Sequence, residues 1–439
     1  MPRRILRPLQ EFLETSTAGG LVLLGGVVLA LVWANSPWDG AYRSLFATRI
    51  SIGVGGFAVA GDLHFWVNEG LMAIFFLVAG LEIKRELATG ELRRPRAALL
   101  PVVAAASGMA VPALLYLAIV GTGPGGRGWA IPMATDVAFA LGVLALAAAR
   151  APSGLRPLLL ALAIVDDIGS VVVVALFSAE TVSVLWLVTA IGVAALIVVL
   201  PRIHIRATVV YVVLGGALWF ALHRAGLHPA LAGVVVGLLT PSEAFQRPHA
   251  VSEEAHRTAD RTMDDPSPPD ADAQEWLRLA ELARDAVSPL TRVEHLLLPW
   301  SSFVVLPLFA LANMGVELSS SSLAAAAGSA VAWAIVVARI GGKLLGVAGG
   351  TLVASRLRLV DLPGDVRPAH LLGMAAAAGT GFTVSLFVAE VVFGAANPLL
   401  SHVKIALLVA SLLSGVLGWT VLRLLPAAPA DPGDDAAVP

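Results

Sequence analysis

Twelve apolar blocks joined by short polar connections leave this 439-residue chain few ways to fold. A block of about 20 apolar residues crosses a bilayer as one helix. Inside hydrocarbon the backbone must pair with itself, so the expected architecture is an all-α polytopic membrane protein with about 12 transmembrane helices. The blocks lie near residues 17–34, 63–82, 97–120, 130–149, 157–178, 183–200, 207–222, 228–240, 296–316, 323–353, 370–394 and 403–425. The block at 228–240 is short, and losing it would invert everything after it. A mean hydropathy of +0.83 and a charged fraction of 14% exclude an ordinary soluble domain. A net charge of -2, with no basic stripe among aromatics, argues against nucleic acid as a partner; the partner implied is the lipid bilayer. The absence of cysteine removes disulfides, thiol catalysis and thiolate metal sites.

Lysine and arginine fall on alternate loops, and short cytoplasmic loops are the ones that retain them. One set of loops holds Arg3, Arg4, Arg7, Lys84, Arg85, Arg93, Arg94, Arg96, Arg150, Arg156, Arg202, Arg206, Arg356, Arg358 and Arg367. The other holds only Arg43, Arg49, Arg127 and Arg224. Both termini are therefore expected in the cytoplasm, which an even number of spans also requires. Ala34-Asn35-Ser36 after the first block resembles a signal-peptide cleavage site, but the apolar stretch starts late and eleven further blocks follow.

The membrane domain is expected to occupy residues 1–425, with a long cytoplasmic loop at 241–291 inside it that is largely disordered, including the Asp- and Pro-rich run from Asp264 to Asp270. Within that loop the spacing of Trp276, Leu279, Ala283 and Val287 predicts a helix from Gln274 to Val287. Residues 426–439 read as a disordered cytoplasmic tail. The segment from Ile50 to Leu63 alternates with glycine in the manner of a short hairpin.

Against this background the informative residues are the charged ones inside spans. Asp166 and Asp167 sit in an apolar run from Pro157 to Phe177 that is otherwise free of charge. A carboxylate near the bilayer centre costs about 2.5 to 3.5 kcal/mol on insertion scales, so the pair must be compensated by pairing, protonation or a bound cation. Successive helical residues point about 100° apart, so one aspartate can face a cation while its neighbour faces a basic group. Arg339 and Lys343, at i and i+4 in a later span, supply such groups. Arg339 can equally be an interfacial anchor with its side chain extended outward. Lys343 sits in Gly341-Gly-Lys-Leu-Leu-Gly346, where small residues allow close helix approach.

Asp136 follows Pro132 and Thr135 in the fourth block. Proline removes a donor and disfavours helix before it, so a break is expected there, with Thr135 or Asp136 capping the helix that resumes. Gly379, Gly381 and Thr383 mark a second place where a span can be interrupted. Two interrupted spans, one in each half, point to ion transport near the membrane midplane.

These segments resemble the NhaA-type sodium/proton antiporter family, whose fold is itself one of the type examples of such interrupted spans. The resemblance rests on Ala134-Thr-Asp-Val-Ala-Phe-Ala-Leu-Gly142 and Ala161-Leu-Ala-Ile-Val-Asp-Asp-Ile-Gly169. Gly80-Leu-Glu-Ile-Lys-Arg-Glu86, His228 with Ala232-Gly233, Glu294-His295, Leu306-Pro-Leu-Phe-Ala310 and Gly381-Phe-Thr-Val-Ser385 extend it over nearly the whole chain. It implies inverted repeats, and discontinuous helices 4 and 11 crossing at the midplane. Asp167 is implied as the main Na+ and H+ carrier and Asp166 as its partner associated with Lys343. Asp136 is implied to compensate two half-helix N-termini, and Lys343 the facing C-termini. Glu82, Lys84, Arg85, Glu86, Glu294, His295 and His228 match residues tied to pH regulation. The implied activity is electrogenic export of Na+ (or Li+) in exchange for more than one H+, inhibited at acid pH, by a homodimer that needs no cofactor. Carboxylates suit such hard cations.

The chain departs from the family in its longer 241–291 loop and in Leu298, which stands where a further histidine is found. Glu390 is an additional acid without an assigned role. Two other classes fit the residues less well. An intramembrane aspartyl protease lacks its Gly-x-Gly-Asp segment here, and a sodium-coupled solute symporter of similar fold would need a pocket for an organic substrate.

Overall fold

The computed structural model describes residues 16–54, 57–147, 152–177, 182–203, 208–244, 246, 251–257 and 269–425. The expectations placed on Arg3, Arg4, Arg7, Arg150, Arg206, the tail at 426–439 and the run at 264–268 lie outside these residues.

The fold is mostly helical, as apolar blocks in lipid must be. In chain order the elements are α1 (Ser16–Ala34), α2 (Asp39–Phe46), the strands β1 (Arg49–Val54) and β2 (Phe57–Asp62), α3 (Leu63–Ala88), α4 (Pro95–Val120) and α5 (Val137–Leu146). They continue with α6 (Leu155–Phe177), α7 (Val184–Ile203), α8 (Thr208–Ala225), α9 (Leu231–Leu239), α10 (Pro269–Asp285), α11 (Pro289–Asn313) and α12 (Ser320–Ala327). The last are α13 (Ala330–Arg356), α14 (Pro368–Ala378), α15 (Thr383–Phe393) and α16 (Leu399–Leu424). Among the described residues seven helices are long and apolar enough to cross a membrane, and nine if each bent pair counts as one span. The bent pairs are α1 with α2, at 118°, and α14 with α15, at 49°. The expected count of about twelve is not reached by this measure, because α5 and α9 are short and α8 falls just below the length needed.

The expected hairpin is present, with β1 and β2 antiparallel and Arg49 opposite Asp62. The block at 323–353 is divided: α12 ends at Ala327, and the Ser329 hydroxyl caps a new helix by accepting from the Ala332 amide. In the long loop the helix runs from Pro269 to Asp285, starting earlier and ending earlier than the Gln274–Val287 helix expected, and residues 251–257 are helical too. Its end is set by Ser288 and Pro289, which begin α11 with the Ser288 side chain accepting from Thr291. Trp276 is exposed, so the anticipated apolar face is not buried against the protein.

Two regions of wide π-type turns, Ala338–Gly342 and Leu344–Gly349, run through the middle of α13. Such turns shift the angular position of the residues that follow and are frequent at functional sites. Here they flank Lys343 and contain Arg339.

The tightest helix pair is α3 against α9. Gly80 and Gly237 face each other so closely that a Cβ on Gly237 would lie 2.7 Å from the Gly80 carbonyl carbon, the Leu77 oxygen and the Leu81 nitrogen. Gly233 and Gly237 are four residues apart on one face, the spacing that lets membrane helices pack backbone to backbone. All three neighbours are backbone, which cannot swing aside. Gly237→Ala should therefore lower the thermal unfolding midpoint in detergent by an overpacking cost of about 1–3 kcal/mol. Gly192→Ala, on an open face of α7, should not lower it. Equal midpoints for the two variants would contradict this packing.

Candidate functional site

α6 lies among α3, α4, α5 and both α14 and α15, and it carries the adjacent aspartates into the centre of the bundle. Asp166 has no exposed surface. Its Oδ2 accepts at 2.6 Å from Lys343 Nζ, itself fully buried, and lies 2.6 Å from the Thr135 hydroxyl. The Asp166 Oδ1 is buried with no hydrogen-bond partner. Asp167, one residue on, turns to a different side and is only half-buried. It has no hydrogen-bond or ion-pair partner among the described residues, and the like charges that bear on it most are Glu82 and Asp166. The 100° step between neighbours thus separates a carboxylate locked to a lysine from one left free.

Two stretches of chain beside α6 are not helical. Before α5, residues 134–136 are extended, and between α14 and α15 the helix is interrupted at 379–382. The two non-helical stretches meet, with the Asp136 amide donating to the Thr380 carbonyl at 2.9 Å. Asp136 stands at the N-cap position of α5 with extended backbone, yet its side chain makes no capping bond to α5. Instead its Oδ2 accepts from the Thr383 hydroxyl at 2.7 Å and the Thr383 amide at 3.4 Å, at the start of α15. The carboxylate therefore sits at two helix N-termini, where the partial positive ends of both helices favour it.

Lys343 donates to Asp166, and to no helix C-terminal carbonyl among the described residues. The group on the C-terminal end of α14 is Arg339, fully buried, whose Nε donates to the Gly379 carbonyl at 3.1 Å. Reading Arg339 as an interfacial anchor is therefore overturned. The i to i+4 spacing suggested that the two cations share a face, but it gave no sign that their partners differ. Ser385, whose hydroxyl accepts from Arg339 Nη1 at 2.6 Å, was not singled out individually from the sequence.

The residues expected to govern pH response divide in two. Arg85 Nη1 donates to Glu294 Oε1 at 2.5 Å, and Glu82 is close enough to feel both charges. Glu86 lines a cavity of 1060 Å³ with Thr89, Arg93, Arg94 and Arg96. Lys84 is half-buried and His295 exposed beside this group. His228 is elsewhere. It lies 3.0 Å from Glu69, against the Phe387 ring, in a cavity of 480 Å³ that also touches His64, Asn68, His223 and Glu390. Glu69 and Arg85 are on one helix about 24 Å apart at 1.5 Å per residue, so the grouping of His228 with Glu294 and His295 does not hold in space. Glu390 is paired with Lys404 at 2.7 Å.

Outside the membrane-spanning segments, Asp365 ties two connections together: its Oδ2 accepts from the Gly154 amide at 2.9 Å and the Ser153 hydroxyl at 3.1 Å. These donors, the Gly154 amide foremost, hold its carboxyl below the usual range. A depressed folded value means that this tie is present above the ordinary carboxylate range and is lost as pH falls through the folded value.

Residues 10–422 match the family described as Na+/H+ antiporter 1. A protein of Anaeromyxobacter sp. (strain Fw109-5) named Na(+)/H(+) antiporter NhaA is 45% identical over 96% of this chain and 92% of its own length. One from Sorangium cellulosum (strain So ce56), named Na(+)/H(+) antiporter NhaA 2, is 42% identical over 100% of this chain and 94% of its own. A third, from Syntrophobacter fumaroxidans (strain DSM 10017 / MPOB), is 41% identical over 95% and 90%.

The buried pair makes a prediction that needs no assay of activity. Lys343→Met leaves the Asp166 carboxylate buried without its cation, a change that costs about 3–5 kcal/mol when the charge stays unpaired. The thermal midpoint in detergent should fall at neutral pH and fall less in acid, where Asp166 can take up a proton. Lys343→Met combined with Asp166→Leu should recover much of the loss. A double variant as unstable as the sum of the single ones would show that the two charges do not act as a pair.

Proposed function

The chain belongs to the Na+/H+ antiporter 1 family, and from that membership we infer that it exchanges Na+ for H+ across the cell membrane, with Asp166 and Asp167 as the groups for which the two ions compete. One observation carries the assignment of residues. At the centre of the bundle Asp166 is held on one oxygen by Lys343 and Thr135, while among the described residues its other, buried oxygen and the neighbouring Asp167 have no partner. A hard monovalent cation can take the unpartnered carboxylate oxygens. A proton neutralises the same oxygens, so the two occupants exclude one another. Alternating access of this site to the two sides couples Na+ movement in one direction to H+ movement in the other. Li+ is carried by the same chemistry.

The finer architecture follows the same reading. Counting the broken segment that ends in α5, together with α8 and α9, as spans gives about twelve, an even number that keeps both termini on the arginine-rich cytoplasmic side. The order of long helix, broken helix, long helix occurs twice, as α4 to α6 and as α13 to α16, which supports inverted repeats with the two breaks crossing at the midplane. We assign Asp136 the balancing of the two helix N-termini at that crossing. Glu82, Arg85, Glu86, Glu294 and His295 form the cytoplasmic group through which pH acts, and the through-space repulsion between the Glu82 and Asp167 charges is the route by which it reaches the site. Exchange of more than one H+ per Na+ makes transport electrogenic. The protein works as a homodimer, with 241–291 a cytoplasmic loop and 426–439 a cytoplasmic tail.

The test is Na+-driven proton movement in vesicles, read with a pH-sensitive dye across about pH 6 to 9. Asp166→Asn and Asp167→Asn should each abolish the signal while leaving folded protein in the membrane. Wild-type exchange in either variant would overturn the assignment.

A further inference from the structure

Arg339 is a charged residue that the exchange scheme leaves unused. It has no exposed surface, and among the described residues no carboxylate lies within ion-pair distance of it. Its guanidinium is spent on other groups. Nε donates to the Gly379 carbonyl at 3.1 Å, Nη1 to the Ser385 hydroxyl at 2.6 Å and Nη2 to the Ala134 carbonyl at 2.8 Å. Gly379 and Ser385 flank the break between α14 and α15, and Ala134 belongs to the extended stretch before α5. One side chain thus spans both interruptions.

The chemistry suits arginine and no other residue. A planar guanidinium presents five N–H donors in fixed directions, whereas an ammonium offers three donors at one point. The two carbonyls it takes are groups that a continuous helix would have satisfied, and buried without a donor each would be costly. Space is reserved for it as well. A Cβ on Gly381 would overlap Arg339 Nη2 and the Ala134 carbonyl oxygen, so glycine there is what lets the guanidinium reach across.

We propose that Arg339 is a positioning residue of the exchange site, locking the two interruptions together and so fixing the Thr135 hydroxyl against Asp166. The mechanical link is one peptide long. Ala134 is held by Nη2, Thr135 follows it with its hydroxyl 2.6 Å from Asp166 Oδ2 and 3.0 Å from the Ala378 carbonyl, and the Asp136 amide then binds Thr380. Three successive residues are tied to the facing break, and Arg339 supplies the first tie. Without it the Ala134 and Gly379 carbonyls lose their donor, the two stretches separate, and Asp166 loses a fixed hydroxyl partner. This inference rests on the roles given above to Asp166 and Asp167, and it assigns a residue that touches neither.

The experiment compares wild type, Arg339→Lys, Arg339→Gln and Gly381→Ala in proteoliposomes, reading the Na+ dependence and pH profile of exchange. Alongside it, the rise in thermal midpoint caused by Na+ is measured on the purified proteins in detergent. Arg339→Lys keeps the charge but not the fork. It should raise the Na+ concentration for half-maximal exchange about tenfold, the factor expected from losing one positioned hydrogen bond to a charged group. It should also shrink the Na+-induced thermal shift and move the pH profile, with the maximal rate changed less. Arg339→Gln should do the same more severely. Gly381→Ala displaces the guanidinium without removing it and should act in the same direction, and its combination with Arg339→Lys should be no worse than the worse single change. Wild-type Na+ dependence and pH profile in Arg339→Lys, with Asp167→Asn inactive, would overturn this inference alone. So would a drop in folded protein with both unchanged, which is what a purely structural role predicts. Exchange surviving in Asp167→Asn would instead overturn the site assignment.

Discussion

Backbone groups released inside a membrane have no water to bind, and two breaks in helical chain at the centre of this bundle release several at once. The arrangement around them follows from that demand. The carbonyls of Ala378, Gly379, Thr380 and Gly381 accept in turn from the Thr135 hydroxyl, the Arg339 guanidinium, the Asp136 amide and the Ser411 hydroxyl. Each donor comes from another part of the chain. The breaks are stable only because they meet each other and because α13 and α16 close around them, so irregular backbone persists where protein, not lipid, surrounds it.

That closure fixes the electrostatics of the crossing. Three carboxylates, Asp136, Asp166 and Asp167, stand against two cations, Arg339 and Lys343. Asp136 stands before α5 and is held by Thr383 at the start of α15, Arg339 by backbone carbonyls and Ser385, and Asp166 by Lys343 and Thr135. Asp167 has no partner among the described residues, which leaves one carboxylate of the three without a facing group. On the proposed reading Na+ offsets that carboxylate in one half of the cycle, and protons shared between Asp167 and Asp166 do so in the other. Selection between them then depends on pH and on how well the carboxylate oxygens are placed, which is where the positions of Thr135 and Asp166 matter.

Much of this was legible in the sequence because charge inside an apolar run is rare and costly. Asp166, Asp167, Asp136 and Lys343 announced themselves that way, and Pro132, Gly379 and Gly381 marked both breaks. The partners of the cations were not legible. Periodicity placed Arg339 and Lys343 on one face of one helix, but π-type turns in α13 and the contact across two breaks decide which group each one meets, and those are tertiary facts. His228 was misplaced for a similar reason. It was grouped with Glu294 and His295 by resemblance, whereas the chain brings it to Glu69 at the opposite end of α3. In the long loop apolar spacing places a helix over Gln274–Val287, and the helix found there is Pro269–Asp285. The short helices α5 and α9 show how far hydropathy blocks overstate helix length where a span is broken or buried among others.

The claim on which the account stands is that Na+ and H+ share one carboxylate site. It is tested most directly by counting the protons released when Na+ is added to the purified protein in weakly buffered detergent solution, with a pH indicator and Na+ binding followed together. The account predicts acidification that rises and saturates with Na+ binding, and that disappears in Asp167→Asn. Na+ binding at full occupancy with no proton released at any pH would contradict it.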